Sequence, residues 1–178
     1  RSAIFQREIR GLTVGIWGYG GIGRETARLA RLMGLQVHVM TRSGVGPRTD
    51  VYTVPGTGDP EGLLPHRQFR TGQEQEFLGG LDFLVVALPL TKATEGLIGE
   101  RELQALPRTA CVLNPARGPI IREQALLRAL QENWIAGAAI DTHYHYPMPP
   151  EHPLWKFPNV IFTPHISGSS LSPRFKER

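Results

Sequence analysis

The sequence predicts an α/β fold, a doubly wound and predominantly parallel sheet with helices on both faces. Three observations predict it. Short apolar runs alternate with helix-periodic segments along the chain, the pattern of repeated βαβ units. A glycine cluster, Gly18-Tyr19-Gly20-Gly21-Ile22-Gly23, closes the first apolar run and opens the first helical one. Polar residues follow directly on several later apolar runs, at the strand ends where open parallel sheets bind their ligands. With 178 residues, 40% of them apolar and 20% charged, residues 1–178 suit one domain with its own core.

The elements follow in order. Leu12–Trp17 is a β-rich run stopped by glycine. Gly21 to Met33 reads as a helix, its apolar face supplied by Ile22, Ala27, Leu29, Ala30 and Met33, with Gly34 as the stop. Leu35–Met40 is the second strand. Leu81–Leu88, Thr109–Leu113, Trp134–Ile140 and Val160–Phe162 are further strands, with helices at Glu100–Leu106 and Glu123–Asn133 between them. Ser43 to Gly72 breaks the alternation. It holds Gly44, Gly46, Pro47, Pro55, Gly56, Gly58, Pro60 and Pro65 and little periodicity, so it reads as a long irregular excursion with one short strand at Val51–Val54. It follows the second strand, where the adenosine end of a dinucleotide would lie, and is either a cover for that ligand or a surface insertion.

The glycine cluster matches G-x-G-x-x-G in the strand-to-helix setting that a Rossmann-like dinucleotide site requires. Gly18 permits the tight turn, Gly20 lets backbone approach a pyrophosphate, and Gly23 lets helix pack on sheet. Gly21 and Ile22 open the helix, whose free N–H groups attract phosphate. About 20 residues on, an NAD-selective site carries an acid for the ribose hydroxyls. Here the chain has Thr41-Arg42-Ser43 and no carboxylate. A guanidinium flanked by hydroxyls pairs with a 2′-phosphate that a carboxylate would repel. The expected cofactor is therefore NADP(H), with NAD(H) the alternative.

Composition excludes several classes. The net charge of +4 comes from scattered arginines without interleaved aromatics, which is not a nucleic-acid interface. No apolar run is long enough to span a bilayer, and Arg1–Arg10 lacks the core of a signal peptide; no membrane partner is expected. One cysteine, Cys111, forbids an internal disulfide and favours the cytoplasm, and its apolar setting makes it a buried, inert thiol.

Downstream, Val85-Val86-Ala87-Leu88-Pro89-Leu90-Thr91, Asn114-Pro115-Ala116-Arg117-Gly118, Gly137-Ala138-Ala139-Ile140-Asp141 and Thr163-Pro164-His165-Ile166 each run from a predicted strand into polar residues. Parallel topology sends Arg117, Asp141 and His165 to one crevice beside the glycine loop. Taken in order from about Arg7 to Ser170, these segments resemble the D-isomer-specific 2-hydroxyacid dehydrogenase family, whose members include glyoxylate/hydroxypyruvate reductases. The resemblance implies hydride transfer between NADP(H) or NAD(H) and a small 2-keto or 2-hydroxy acid. It implies that Arg117 holds the substrate, that His165 is the general acid/base, and that Asp141 orients the nicotinamide. Leu88, Pro89, Thr94 and Pro115 line the cofactor by the same likeness. A homodimer paired through cofactor domains is likewise implied. The residue types suit the chemistry: a guanidinium fork grips a carboxylate, and histidine moves protons near neutral pH.

The sequence departs from the family at two points. Five residues after the aspartate the family places a glutamate that pairs with the histidine; here that residue is Tyr146. A neutral phenol does not stabilise imidazolium as a carboxylate does, which implies reduction favoured at lower pH than in relatives with the glutamate. Formate dehydrogenases also lack that glutamate, and their stretch after the histidine resembles Ser167-Gly168-Ser169-Ser170-Leu171, so another small anion such as formate is an alternative substrate. Glu151, in a proline-rich loop (Pro147, Pro149, Pro150, Pro153), is a substitute carboxylate candidate. Secondly, the family's substrate domain is largely absent from this chain, so the chain by itself is expected to turn over poorly, and a nucleotide-sensing module is the non-catalytic alternative. His143 and His145, two residues apart, would share one side of an extended segment with His152 nearby, but without a clear third ligand no metal is expected.

Overall fold

The computed structural model describes residues 8–49 and 51–168. Among the described residues seven strands form one parallel sheet: β1 (Thr13–Trp17), β2 (Gln36–Thr41), β3 (Arg67–Arg70), β4 (Phe83–Val86), β5 (Cys111–Asn114), β6 (Gly137–Ile140) and β7 (Val160–Phe162), in the spatial order β3-β2-β1-β4-β5-β6-β7. Helix α1 (Gly21–Leu32) joins β1 to β2, α2 (Glu74–Leu78) joins β3 to β4, α3 (Glu100–Ala105) joins β4 to β5, and α4 (Glu123–Gln131) joins β5 to β6. The chain runs outward from β1 to β3 and then returns to β4 on β1's other flank. That reversal opens a crevice at the carboxyl ends of β1 and β4, the position in such sheets where a ligand enters.

Side-chain alternation along the strands divides the core in two. Val14, Ile16, Val37, Val39 and Val85 pack against Ala27 and Ala30 of α1. Trp17, Met40, Leu84, Val86, Val112, Ala138 and Ile140 face the other way, onto Phe77, Leu78, Leu103, Leu126 and Ala129 of α2, α3 and α4. In register, Ile16 of β1 is flanked by Val39 of β2 and Val85 of β4, so β-branched side chains from three strands form a continuous layer under α1.

The strand and helix expectations hold within a few residues at their ends, with three corrections. No strand forms at Val51–Val54; Val51 and Tyr52 are exposed there, and the excursion contributes its strand later, as β3. Only Ala27 and Ala30 of the expected apolar face of α1 are buried; Ile22, Leu29 and Met33 are exposed together with Leu32. A helix over a sheet next to a glycine loop packs through its small residues, which pushes the larger ones outward. Cys111 is half-buried in β5 rather than fully enclosed. No helix of the described residues is long and apolar enough to cross a membrane.

Candidate functional site

The glycine loop is shaped by close approach at two of its glycines. Gly18 has φ +102°, a conformation L side chains rarely adopt, and a Cβ there would lie 2.5 Å from the Ala87 carbonyl oxygen of the neighbouring strand end. A Cβ on Gly23 would lie 2.2 Å from the Gly18 carbonyl oxygen and 3.2 Å from Ile16. Gly20 differs: the nearest atom to its Cβ position is the Arg48 guanidinium at 4.0 Å. Backbone is thus open to a ligand at Gly20 while Gly18 and Gly23 serve the turn and the helix packing. Gly20 caps α1 with no side-chain hydrogen bond, and the first turn has no acidic residue, so the first N–H groups and the positive end of the helix dipole face outward.

A cleft of about 460 Å³ lies over this loop. Gly20, Gly21 and Ile22 form one wall, Val86 to Leu90 after β4 a second, and Pro115, Ala116 and Arg117 after β5 a third. Leu88, Pro89, Pro115 and Arg117 are therefore brought to the glycine loop as the sequence leads one to expect. Thr94 is not among the lining residues. Its hydroxyl donates to the Pro89 carbonyl (2.6 Å) and accepts from the Thr91 amide (2.8 Å), which fixes the turn that follows Pro89. Thr41 accepts from the Gly44 amide (2.9 Å), and Arg42 and Ser43 are exposed just beyond β2. The Arg70 guanidinium, at the end of β3, lies 3.1 Å from a Cβ position on Gly44, so a second cation stands beside the Thr41–Ser43 segment.

Asn114 shapes the loop that carries Arg117. Its amide donates to the Arg117 carbonyl (3.0 Å), and its oxygen accepts from the Ala116 amide (3.1 Å). The Arg117 side chain is exposed and donates to the Ala116 carbonyl (2.6 Å). Behind it, a Cβ on Gly118 would lie 2.7 Å from the His143 backbone, so the Arg117 loop is packed directly on the segment that follows Asp141.

Asp141 is 5% exposed and accepts four hydrogen bonds: Thr163 Oγ1 and the Ile166 amide at one oxygen, the Ser167 amide and Oγ at the other. Burial opposes its charge, but the bonds from Ser167, Thr163 and the Ile166 amide outweigh it and hold the carboxyl well below the usual carboxylate range. Asp141 thus ties down the loop that presents His165. His165 is exposed with φ +57°, a left-handed conformation uncommon outside glycine, sustained by these flanking bonds. Its Nδ1 lies 3.1 Å from the Tyr146 hydroxyl, which also accepts from the His143 amide (2.9 Å). Tyr146, rather than Glu151, is the residue that reaches the histidine. With Nδ1 engaged, Nε2 is the ring nitrogen without a hydrogen bond among the described residues.

The other histidines separate. His143 Nε2 pairs with the Thr163 carbonyl (3.1 Å), whereas His145 turns toward Glu123 and His152; the two do not share a side, because the segment turns rather than extends. Ligand atoms of Glu123, His145 and His152 lie within 4.8 Å of one another. His152 Nδ1 accepts from the Leu154 amide (3.2 Å), so in the neutral ring Nε2 carries the proton and donates it to Glu123 Oε1 at 2.5 Å. That proton stands where a metal ion would need a lone pair.

Sequence reasoning missed an anchor for the excursion. The Arg24 guanidinium, 7% exposed in α1, donates to the carbonyls of Gly46 (2.7 Å) and Asp59. The Asp59 side chain accepts from the Tyr19 hydroxyl (2.6 Å) and the amides of Leu63 and Leu64. Burial raises the Tyr19 hydroxyl far above its usual range and Asp59 adds to it, whereas these bonds, against the pull of burial, hold Asp59 low. No local signal marks these residues, since Arg24 and Tyr19 meet partners 22 to 40 residues away.

Known proteins resemble this chain in sequence and fold. Residues 1–167 match the model for the D-isomer specific 2-hydroxyacid dehydrogenase, NAD binding domain. A glyoxylate reductase of Thermofilum pendens is 37% identical over 167 residues, covering 94% of this chain and 45% of that protein; one from Aeropyrum pernix is 34% identical, covering 95% and 46%. Among solved structures, an NADPH-dependent glyoxylate/hydroxypyruvate reductase from Sinorhizobium meliloti in complex with NADP and sulfate superposes with a TM-score of 0.75 at 30% identity, over 93% of this chain and 49% of that one. A phosphoglycerate dehydrogenase from Lactobacillus plantarum gives 0.80 at 28% identity, over 95% and 50%. The chain spans about half the length of the relatives it matches.

Proposed function

Because the chain belongs to the D-isomer-specific 2-hydroxyacid dehydrogenase family, we propose that it is the cofactor-binding part of an NADP(H)-dependent reductase of small 2-keto acids, glyoxylate and hydroxypyruvate foremost. The observation that carries this reading is the single cleft joining the open glycine loop to Arg117. NADPH is favoured over NADH by Arg42, with Arg70 near it, and by the absence of a carboxylate at the end of β2. Neighbouring structures with NADP or NADPH bound support it.

Bound NADPH would supply the hydride. The chain's own residues do the rest. Arg117 offers its fork to the substrate carboxylate. His165 gives a proton at Nε2 to the carbonyl oxygen that becomes the hydroxyl of the product. Tyr146 fits both states of the ring. It accepts from Nδ1–H while His165 is charged and goes on accepting from Nδ1–H once Nε2 has given up its proton, with the His143 amide steadying its oxygen. Asp141 holds the Thr163–Ser167 loop, and thereby the presentation of the histidine. The remaining length of the relatives would provide the substrate domain that excludes water. The intact enzyme is expected to be a cytoplasmic homodimer; the exposed Leu29 and Leu32 of α1, with Met33 just after it, offer an apolar face for a second copy.

The test is steady-state kinetics of the intact protein with NADPH and glyoxylate or hydroxypyruvate. His165→Ala should lower kcat by about 100-fold or more while leaving NADPH affinity unchanged, and Arg117→Ala should raise KM for the acid. Equal turnover in wild type and His165→Ala would overturn the reading, as would formate oxidation exceeding keto-acid reduction.

A further inference from the structure

Arg48 is unassigned by any of the roles above. It lies in the excursion between β2 and β3, yet its Nη1 stands 3.6 Å from a Cβ position on Gly21 and 4.0 Å from one on Gly20. Those two glycines line the cleft and begin α1. We propose that Arg48 is a cofactor-binding residue that closes over the glycine loop and pairs with the pyrophosphate of the dinucleotide. This rests on the dinucleotide reading of the cleft.

Three observations carry it. The backbone around Arg48 is fixed: its amide donates to the Pro60 carbonyl (2.8 Å), and two residues earlier the Gly46 carbonyl accepts from buried Arg24 (2.7 Å). Arg24 belongs to α1, and Asp59, whose carbonyl it also holds, accepts from Tyr19 inside the glycine motif. The excursion is therefore built onto the phosphate loop, and Arg48 is presented to it by buried contacts. Second, the half-buried guanidinium makes no hydrogen bond or ion pair among the described residues, so a cation is held over the loop with its donors unspent. Third, the cleft is short of positive charge at that end. An uncapped helix start offers about half an elementary charge, a pyrophosphate diester carries two negative charges, and Arg117, the only cation among the lining residues, sits on the opposite wall. A forked guanidinium above Gly20 and Gly21 complements the N–H groups below, clamping the bridging phosphates from both sides.

The pyrophosphate is common to both cofactors, whereas the 2′-phosphate belongs to NADPH alone, which makes the proposal separable from the role of Arg42. Fluorescence titration of the intact protein with NADPH and with NADH, at one moderate salt concentration, tests it in wild type, Arg48→Gln, Arg48→Lys and Arg42→Ala. Arg48→Gln should weaken both cofactors by a similar factor, about tenfold, with the thermal midpoint unchanged; Arg48→Lys should recover part of the loss; Arg42→Ala should weaken NADPH alone. Unchanged affinities in Arg48→Gln, or a loss confined to NADPH, would overturn the assignment while the wild-type titration still upholds the cleft. If wild type binds neither cofactor, both readings fall together.

Discussion

Tyr146 sets a neutral phenol beside His165. A carboxylate beside an imidazole would bring a full charge, whereas the phenol is neutral and can accept from His165 Nδ1–H while it also accepts from the His143 amide. Tyr146→Phe removes that partner without removing the ring, so kcat should fall about tenfold or more while NADPH affinity stays as it was; steady-state and binding measurements on the same variant check this. Asp141 makes a separate prediction about acid. Its carboxyl titrates below its ordinary value because the folded loop donates four hydrogen bonds to it. The folded state therefore binds that proton more weakly than the unfolded chain. The stabilisation is complete above the ordinary aspartate value, about pH 4, and is lost as pH falls below it. Asp141→Asn should be less stable than wild type at pH 7, and the gap in thermal midpoint should narrow as pH falls through that window. A gap independent of pH would refute the charge-based account. At this scale the sequence is legible where chemistry is written in a contiguous motif, as for Gly18, Gly20, Gly23 and Arg117. It is silent on Arg24, Asp59 and Arg48, whose meaning depends on partners brought close only by folding.

Among the elements, the turn from β1 into α1 has glycines that differ in what surrounds them. At Gly23 a Cβ would meet fixed backbone at 2.2 Å, so Gly23→Ala should destabilise the fold by about 1–3 kcal/mol. At Gly20 φ is −79° and the Cβ position is open. Gly20→Ala should therefore leave the thermal midpoint within about 2 °C of wild type yet weaken dinucleotide binding about tenfold or more, because its methyl intrudes where phosphate approaches. Paired melting and titration experiments distinguish the two; a Gly20→Ala variant that binds normally would contradict the assignment of that face. Strands with several buried aliphatics, such as β1, β2 and β4, are plain in the sequence. β3 is not, since only Phe69 of Arg67–Arg70 is buried and an edge strand with one inward side chain has no readable alternation. Val51–Val54 shows the converse: β-favouring residues without a neighbouring strand to pair with stay irregular. α2, five residues long, is too short to display a helical period.

For the molecule as a whole, topology brings separate motifs to the carboxyl ends of the strands. The reversal between β1 and β4 gathers the glycine loop, the turn after β4 and the Arg117 loop around one cleft, while Asp141 and the Thr163–Ser167 loop secure His165 at the carboxyl ends of β6 and β7. That arrangement follows from the alternation of strands and helices, which is why the fold class could be anticipated while β3, α2 and the excursion could not. Its long loop is instead organised by the Arg24, Asp59 and Tyr19 contacts onto α1. The exposed Leu29 and Leu32 belong to the same scale: sedimentation of the intact protein should show a dimer, and Leu29→Glu with Leu32→Glu should shift it to monomer. The central claim, that this cleft takes a dinucleotide and prefers the phosphorylated one, is tested most directly by titrating wild-type protein with NADPH and NADH side by side. The account predicts saturable binding of both, with NADPH at least about tenfold tighter, worth about 1.4 kcal/mol. Binding of neither, or tighter binding of NADH, would contradict it.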